Sequence, residues 1–238
     1  MRAAWEGAAA RFVISEALGR EYCRRYGERE FHVVTDGLTQ LEPLRQTVMT
    51  GQLRIYFMGL FHVGYEKNLR ALLEGISILE RKRPEVRVSV TLRCEHVRPQ
   101  ILAGTKEVTL LPFADEAQVQ RDMREADLLY LPLPFGEEHV NFARFSLSTK
   151  MVTYLGSGLP ILYHGPRTAA AFDLLTAHGA AIPLTTLATD EIAATLQDLS
   201  PAQREETAAH GLALAQRFML VQQREEFWAT ISRVMTSA

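Results

Sequence analysis

Two short stretches bring together the residue types that hold phosphate. In FSLSTKMVTYLGSGLPI (145–161), Ser146, Ser148, Thr149 and Lys150 stand at the mouth of a short helical pattern that stops at a glycine. Serine and threonine are good N-cap residues. The unpaired N–H groups of a helix start, with their partial positive charge, attract phosphate. Lys150 falls in the first turn, where the macrodipole favours an anion. An anionic ligand above the helix resolves that conflict; an ordinary cap with a solvated lysine is the alternative. In MGLFHVGYEKN (58–68), Gly59 and Gly64 bracket a strand-to-helix turn, and Lys67 and Asn68 open the helix behind it. Neither the G-x-G-x-x-G of dinucleotide binders nor the G-x-x-x-x-G-K-[ST] of P-loops is present. Two such mouths on one sheet edge suit a diphosphate, with Gly59, Lys67, Asn68, Ser148, Thr149 and Lys150 as its expected contacts.

A third segment, PLPFGEEHVNFARF (132–145), reads as the longest irregular stretch. Long loops inside compact domains are often functional. Its Glu137, Glu138 and His139 are the candidate catalytic groups, against the alternative of a solvated acidic surface. The seven histidines show no H-E-x-x-H or similar spacing, so no metal site is expected; no cofactor is expected either.

The elements that must position these residues alternate along the chain. Apolar runs at 53–59, 86–93, 107–113, 127–133, 159–165 and 180–184 read as strands. Helical spacing marks 68–83, 115–126, the segment after Ser148, 168–177, 188–198, 201–217 and 219–235. This order predicts an α/β fold, a Rossmann-like doubly wound parallel sheet over about 53–200. Ligands of such sheets bind at the carboxyl ends of the strands, where the irregular loops 59–67, 93–98 and 133–148 fall. Before it, 10–27 reads as strand then helix, 31–38 as a strand, and 35–52 as a linker. That N-terminal piece is too short to bury a core alone.

The chain of 238 residues has a net charge of −2, divided as +4 over 1–100 and −6 over 101–238. The only basic run, Arg81-Lys82-Arg83, reads as a solvated helix end, so no nucleic-acid partner is expected. Cys23 and Cys94 lie far apart, which makes a reducing cytoplasm the default. No apolar run approaches a membrane span, and peripheral membrane contact stays open.

The order strand-Gly59-loop-Glu66-Lys67-Asn68-helix, then LLPFADEAQVQRDMREADLLYLPLPFG, then SLSTKMVTYLGSGLPI resembles the C-terminal, donor-binding domain of GT-B glycosyltransferases. The likeness is to the retaining, nucleotide-sugar-dependent group (glycosyl transferases group 1). It implies two parts: 1–50 as the remnant of an N-terminal GT-B domain plus linker, and 51–238 as the nucleotide-sugar donor-binding domain with C-terminal helices. It places the diphosphate on Lys67, Ser148, Thr149 and Lys150, and the base and ribose near Arg93, Phe113, Ala114 and Thr153. The chain departs from the pattern at three points. Thr153 and Phe145 stand where the family often has two glutamates, and Leu60 where it often has an arginine; Glu137 or Glu138 is the stand-in for the missing sugar contact.

The implied function is the donor half of a metal-free glycosyltransferase, truncated and not a full catalyst by itself. The alternative is a non-catalytic module that binds nucleotide or a partner chain on the same fold; a sugar-nucleotide epimerase is a weaker third. The expected partners are a nucleotide-sugar and either a second copy or an N-terminal partner chain. Apolar surface around 10–38 and along 219–235 should then be exposed.

Overall fold

The computed structural model describes residues 1–47, 51–95, 97–102 and 108–236. Residues 48–50 of the expected linker, His96 of the loop 93–98 and Glu107 of the expected third strand lie outside the described residues.

The N-terminal segment folds as α1 (Arg2–Gly7), β1 (Phe12–Val13), α2 (Glu16–Tyr26) and β2 (His32–Val33). Its strands are parallel, with Phe12 opposite His32 and Val13 opposite Val33. Ser15 caps α2 by accepting the Leu18 N–H, and Gly27 ends it. Trp5, Val13 and Cys23 make a small separate core. The helix α1 was not anticipated; its one buried residue is Trp5, whose indole donates to the Gly27 carbonyl at 3.0 Å.

The remainder runs β3 (Gln52–Met58), α3 (Glu66–Lys82), β4 (Arg87–Arg93), β5 (Val108–Leu111), α4 (Glu116–Glu125), β6 (Leu128–Pro132), α5 (Val140–Phe145), α6 (Thr149–Leu155), β7 (Ile161–His164), α7 (Ala170–Ala177), β8 (Ile182–Leu184), α8 (Thr189–Gln197), α9 (Pro201–Ala215) and α10 (Leu220–Thr236). The six strands are all parallel and ordered β5-β4-β3-β6-β7-β8. This is the expected doubly wound sheet, and its direction of winding reverses between β3 and β6.

Side chains alternate along each strand, so the sheet feeds two cores. Ile55, Phe57, Val90, Leu92 and Tyr130 pack under α3 and α8 on one face. Tyr56, Leu129, Leu131 and Tyr163 pack under α6, α7 and α9 on the other. Every residue of β6 is buried, as its unbroken apolar run requires. The segment 132–145, expected to be irregular throughout, instead contains α5, which turns Ala143 into the second core.

The N-terminal unit is fastened to the larger one. Leu38 donates to the Phe218 carbonyl (2.7 Å) and accepts from the Leu220 N–H (2.8 Å). The Ser15 hydroxyl donates to the Phe145 carbonyl at 2.6 Å. Apolar side chains are exposed along α10 at Val221, Trp228 and Met235, and at Ile14 beside β1. Among the described residues no helix is long and apolar enough to cross a membrane.

Asn68 is the pin at the sheet edge. It is fully buried, and its Nδ2 donates to the carbonyls of Leu133 (2.9 Å) and His164 (2.8 Å), at the ends of β6 and β7. Asn68→Ala takes the side-chain donor from the Leu133 carbonyl and leaves the His164 carbonyl only the Leu133 N–H, at a cost of about 1–3 kcal/mol. The thermal midpoint is expected to fall by roughly 5–10 °C, read by circular dichroism against the parent chain.

Candidate functional site

A crevice opens where the sheet changes direction. β3 and β6 pair only at Ile55 opposite Leu128 and Tyr56 opposite Leu129. Beyond those pairs the backbone of each strand finds other partners. The Met58 N–H donates to the Tyr154 hydroxyl at 3.0 Å, and the Gly59 N–H to the Arg93 carbonyl at 3.0 Å. On the other side the Leu133 N–H donates to the His164 carbonyl at 2.8 Å. The strand ends therefore diverge, each tied to its outer neighbour. A reversal of strand order is where doubly wound sheets bind ligands.

Lys150, half-buried, lies at the base of this crevice. It stands one helical turn before Tyr154 in α6, so the two side chains share a face. Its Nζ lies 4.9 Å from the ring centre of Phe57 and 5.4 Å from that of Tyr65. Gly59, at φ +93°, carries the chain over it; a Cβ there would stand 3.4 Å from the Lys150 Cε. Few L residues adopt that φ, which is why a glycine holds the turn. The ammonium makes no ion pair among the described residues, and burial pushes its pKa down to about 8. The neighbouring Cys94 thiol is pushed up to about 11, also by burial, with Lys150 acting in the opposite sense.

Lys67 is exposed at the start of α3. The Glu138 carboxyl is held below its usual range by its own backbone N–H, with Lys67 and His139 adding attraction. Glu138 and His139 approach to 3.8 Å, and Glu137 is exposed beside them. The rings of His139 and His62 meet at 5.0 Å between centres, and His62 stacks on Phe142 at 5.8 Å. The loop after β3 and the segment after β6 thus meet across the crevice. Gly59 lies against Lys150, and Lys67 acts on Glu138 beside His139. His62 was missed in the sequence, where it is one of several histidines without ligand spacing.

The other expected residues lie as follows. Asn68 is the pin described above. Arg93 is buried, its guanidinium paired with Asp122 and donating to the Pro112 carbonyl at 2.7 Å; Tyr56 donates to the same Asp122 at 3.1 Å. Phe113 and Ala114 are exposed after β5, and Thr153 is half-buried in α6. Ser148 is the N-cap of α6 but its hydroxyl makes no capping bond. Ser148 and Thr149 line a cavity of about 260 Å³ with Ile14, Val34, Thr35 and Asp36 of the N-terminal segment. A larger cavity of about 480 Å³, sharing Thr35 and Leu147 with it, lies between α2, α7 and the start of α10. Among the described residues no three His, Cys, Asp or Glu side chains are grouped for a metal ion.

No family model and no curated protein matches the chain by sequence. Solved structures do match in fold. A UDP-forming α,α-trehalose-phosphate synthase from Burkholderia vietnamiensis aligns at 14% identity and TM-score 0.66, over 94% of this chain and 62% of its own. S. aureus TarM, crystallised as a point mutant with fondaparinux, α-GlcNAc-glycerol and UDP, aligns at 9% identity and TM-score 0.67, over 96% and 45%. The pneumococcal O-GlcNAc transferase GtfA, in complex with UDP and GlcNAc, aligns at 13% identity and TM-score 0.66, over 94% and 45%. The fold is that of GT-B glycosyltransferases, and the chain spans about half to three-fifths of the length of these proteins.

The lowered pKa of Lys150 makes stability depend on pH. Between about 8 and its ordinary 10.5 the unfolded chain holds a proton that the folded chain has lost, so stability rises with pH through that window. From pH 7.5 to 9 the gain is about 1 kcal/mol. Cys94 opposes it only above its ordinary 9.0. Urea melts across that lower range should show the rise in the parent chain and its absence in Lys150→Met.

Proposed function

We propose that the crevice between β3 and β6 binds the diphosphate of a sugar nucleotide, and that this chain is the donor-binding half of a glycosyltransferase acting without a metal or cofactor. The observation that carries this reading is Lys150, a largely desolvated ammonium at the switch point of the sheet with aromatic faces but no carboxylate partner. Burying a cation without an anion is costly, and a bound diphosphate supplies the missing charge. The UDP in the two transferase complexes above supports the reading through the shared fold alone.

When a sugar leaves a nucleoside diphosphate, negative charge develops on the departing phosphate oxygens. Lys150 stands fixed where that charge appears, and a group already desolvated and oriented stabilises it without reorganising. Lys67 adds a second, solvent-screened cation. Glu137, Glu138 and His139 border the same space as the groups available to the sugar. We assign residues 1–50 to the end of a second domain, whose remainder or a partner chain supplies the acceptor. A nucleotide-binding module without transfer is the second reading; it is favoured by Thr153 and Phe145, which stand where the resembled group often has glutamates.

Calorimetric titration with UDP-, GDP- and ADP-sugars tests the site. One of them should bind, about 30-fold or more weakly in Lys150→Met and only about two- to fivefold more weakly in Lys67→Ala. Binding should weaken as pH rises through about 8, where the free ammonium loses its proton. A chain that binds none of the sugar nucleotides does not have this function. Release of sugar or nucleotide by the binding-competent chain, with and without added acceptors, separates transferase from module.

A further inference from the structure

Resting on the donor-site reading, we propose that His62 is a ligand-contact residue of the crevice, an imidazole locked in one tautomer that donates from Nε2 to a diphosphate oxygen. Its Nδ1 accepts the Gly64 N–H at 3.0 Å, closing the turn Val63–Tyr65. A neutral imidazole has one acceptor and one donor nitrogen. With Nδ1 used as acceptor, the ring proton resides on Nε2, and that N–H has no protein partner among the described residues.

The ring plane is fixed as firmly as the tautomer. His62 lies parallel to Phe142 (11° between planes) and perpendicular to His139 (83°). Gly64 makes the second contact feasible: a Cβ there would stand 2.7 Å from the His139 Cδ2. The donor is thus held from both lips of the crevice, by its own turn on one side and by α5 with the residue before it on the other.

It shares a neighbour with Lys150, since both border the Tyr65 ring, His62 at 5.8 Å between ring centres and Lys150 Nζ at 5.4 Å. Leu60 and Val63, 72% and 60% exposed, stand on the same turn, with Val140 and Phe142 exposed on the facing lip. A fixed N–H aimed at an anion gives a charge-assisted bond, stronger than one between neutral groups.

The test uses the sugar nucleotide that binds most tightly, with three variants. His62→Gln keeps an N–H donor at similar reach and should bind within about threefold of the parent. His62→Phe keeps the aromatic stack on Phe142 without a donor, and His62→Ala keeps neither. Both should weaken binding about tenfold or more, the loss of a hydrogen bond to a charged group. Long-range ¹H–¹⁵N spectra of the free parent should show the His62 proton on Nε2, with that resonance shifting on addition of ligand. Full affinity in His62→Phe with loss in His62→Gln makes the ring a packing element and overturns the inference while leaving the donor site intact. Absence of binding to every sugar nucleotide overturns both.

Discussion

The divergence of β3 from β6 is the constraint on which the site depends. A parallel sheet tends to keep pairing until its backbone groups find better partners, and here the partners come from three directions. Tyr154 takes the last N–H of β3, Arg93 takes that of Gly59, and Asn68 holds the ends of β6 and β7 together. Each is a hydrogen bond made inside the protein, so the opening costs no unsatisfied backbone group at these positions. The space left is entered from α6, whose Tyr154 and Lys150 lie a turn apart. The same face of one short helix therefore spreads the strands and places a charge between them.

Keeping that charge in place requires compensation. The faces of Phe57 and Tyr65 provide part of it through their quadrupoles, about 0.5–2 kcal/mol for such contacts. The remaining desolvation cost appears as the depressed pKa. A ligand that brings an anion into contact recovers this cost, whereas a cation or a neutral sugar does not. In the proposed donor-site reading, selectivity for phosphate rests on the desolvation of Lys150 more than on the number of basic residues nearby. Arg93 shows the contrast: Asp122 and the Pro112 carbonyl hold its guanidinium inside the protein.

Much of this was legible in the residues themselves. Strand and helix order follow from apolar period, and the crevice follows from strand order. Lys150 stood out because a cation in a first helical turn opposes the macrodipole. Its side chain lies against Gly59, on the face of α6 that also carries Tyr154 one turn later, a placement that no local pattern encodes. Ser148 and Thr149, adjacent in sequence, line a separate cavity against the N-terminal segment. The pairing of Arg93 with Asp122, 29 positions apart, and of Asn68 with the ends of β6 and β7 are tertiary facts that no local pattern encodes. The helix α5 was hidden because Pro134, Gly136 and the two glutamates before it read as loop. With it was hidden the stacking partner of His62.

These tertiary links connect the crevice to the N-terminal segment. Ser15, the cap of α2, donates to the Phe145 carbonyl at the end of α5. α5 carries Phe142, which stacks on His62, and His62 in turn bonds the Gly64 N–H within the turn that bears Gly59 and covers Lys150. A series of contacts and covalent steps thus runs from α2 to the Lys150 ammonium, each involving a named group. The second tie, the paired backbone bonds at Leu38, fastens the linker to the start of α10. A rotation of the N-terminal segment about that tie must either carry α5 with it or break the Ser15 bond. In the first case the lip of the crevice moves relative to Lys150. A segment outside the sheet is therefore joined by direct contacts to one lip of the site within it.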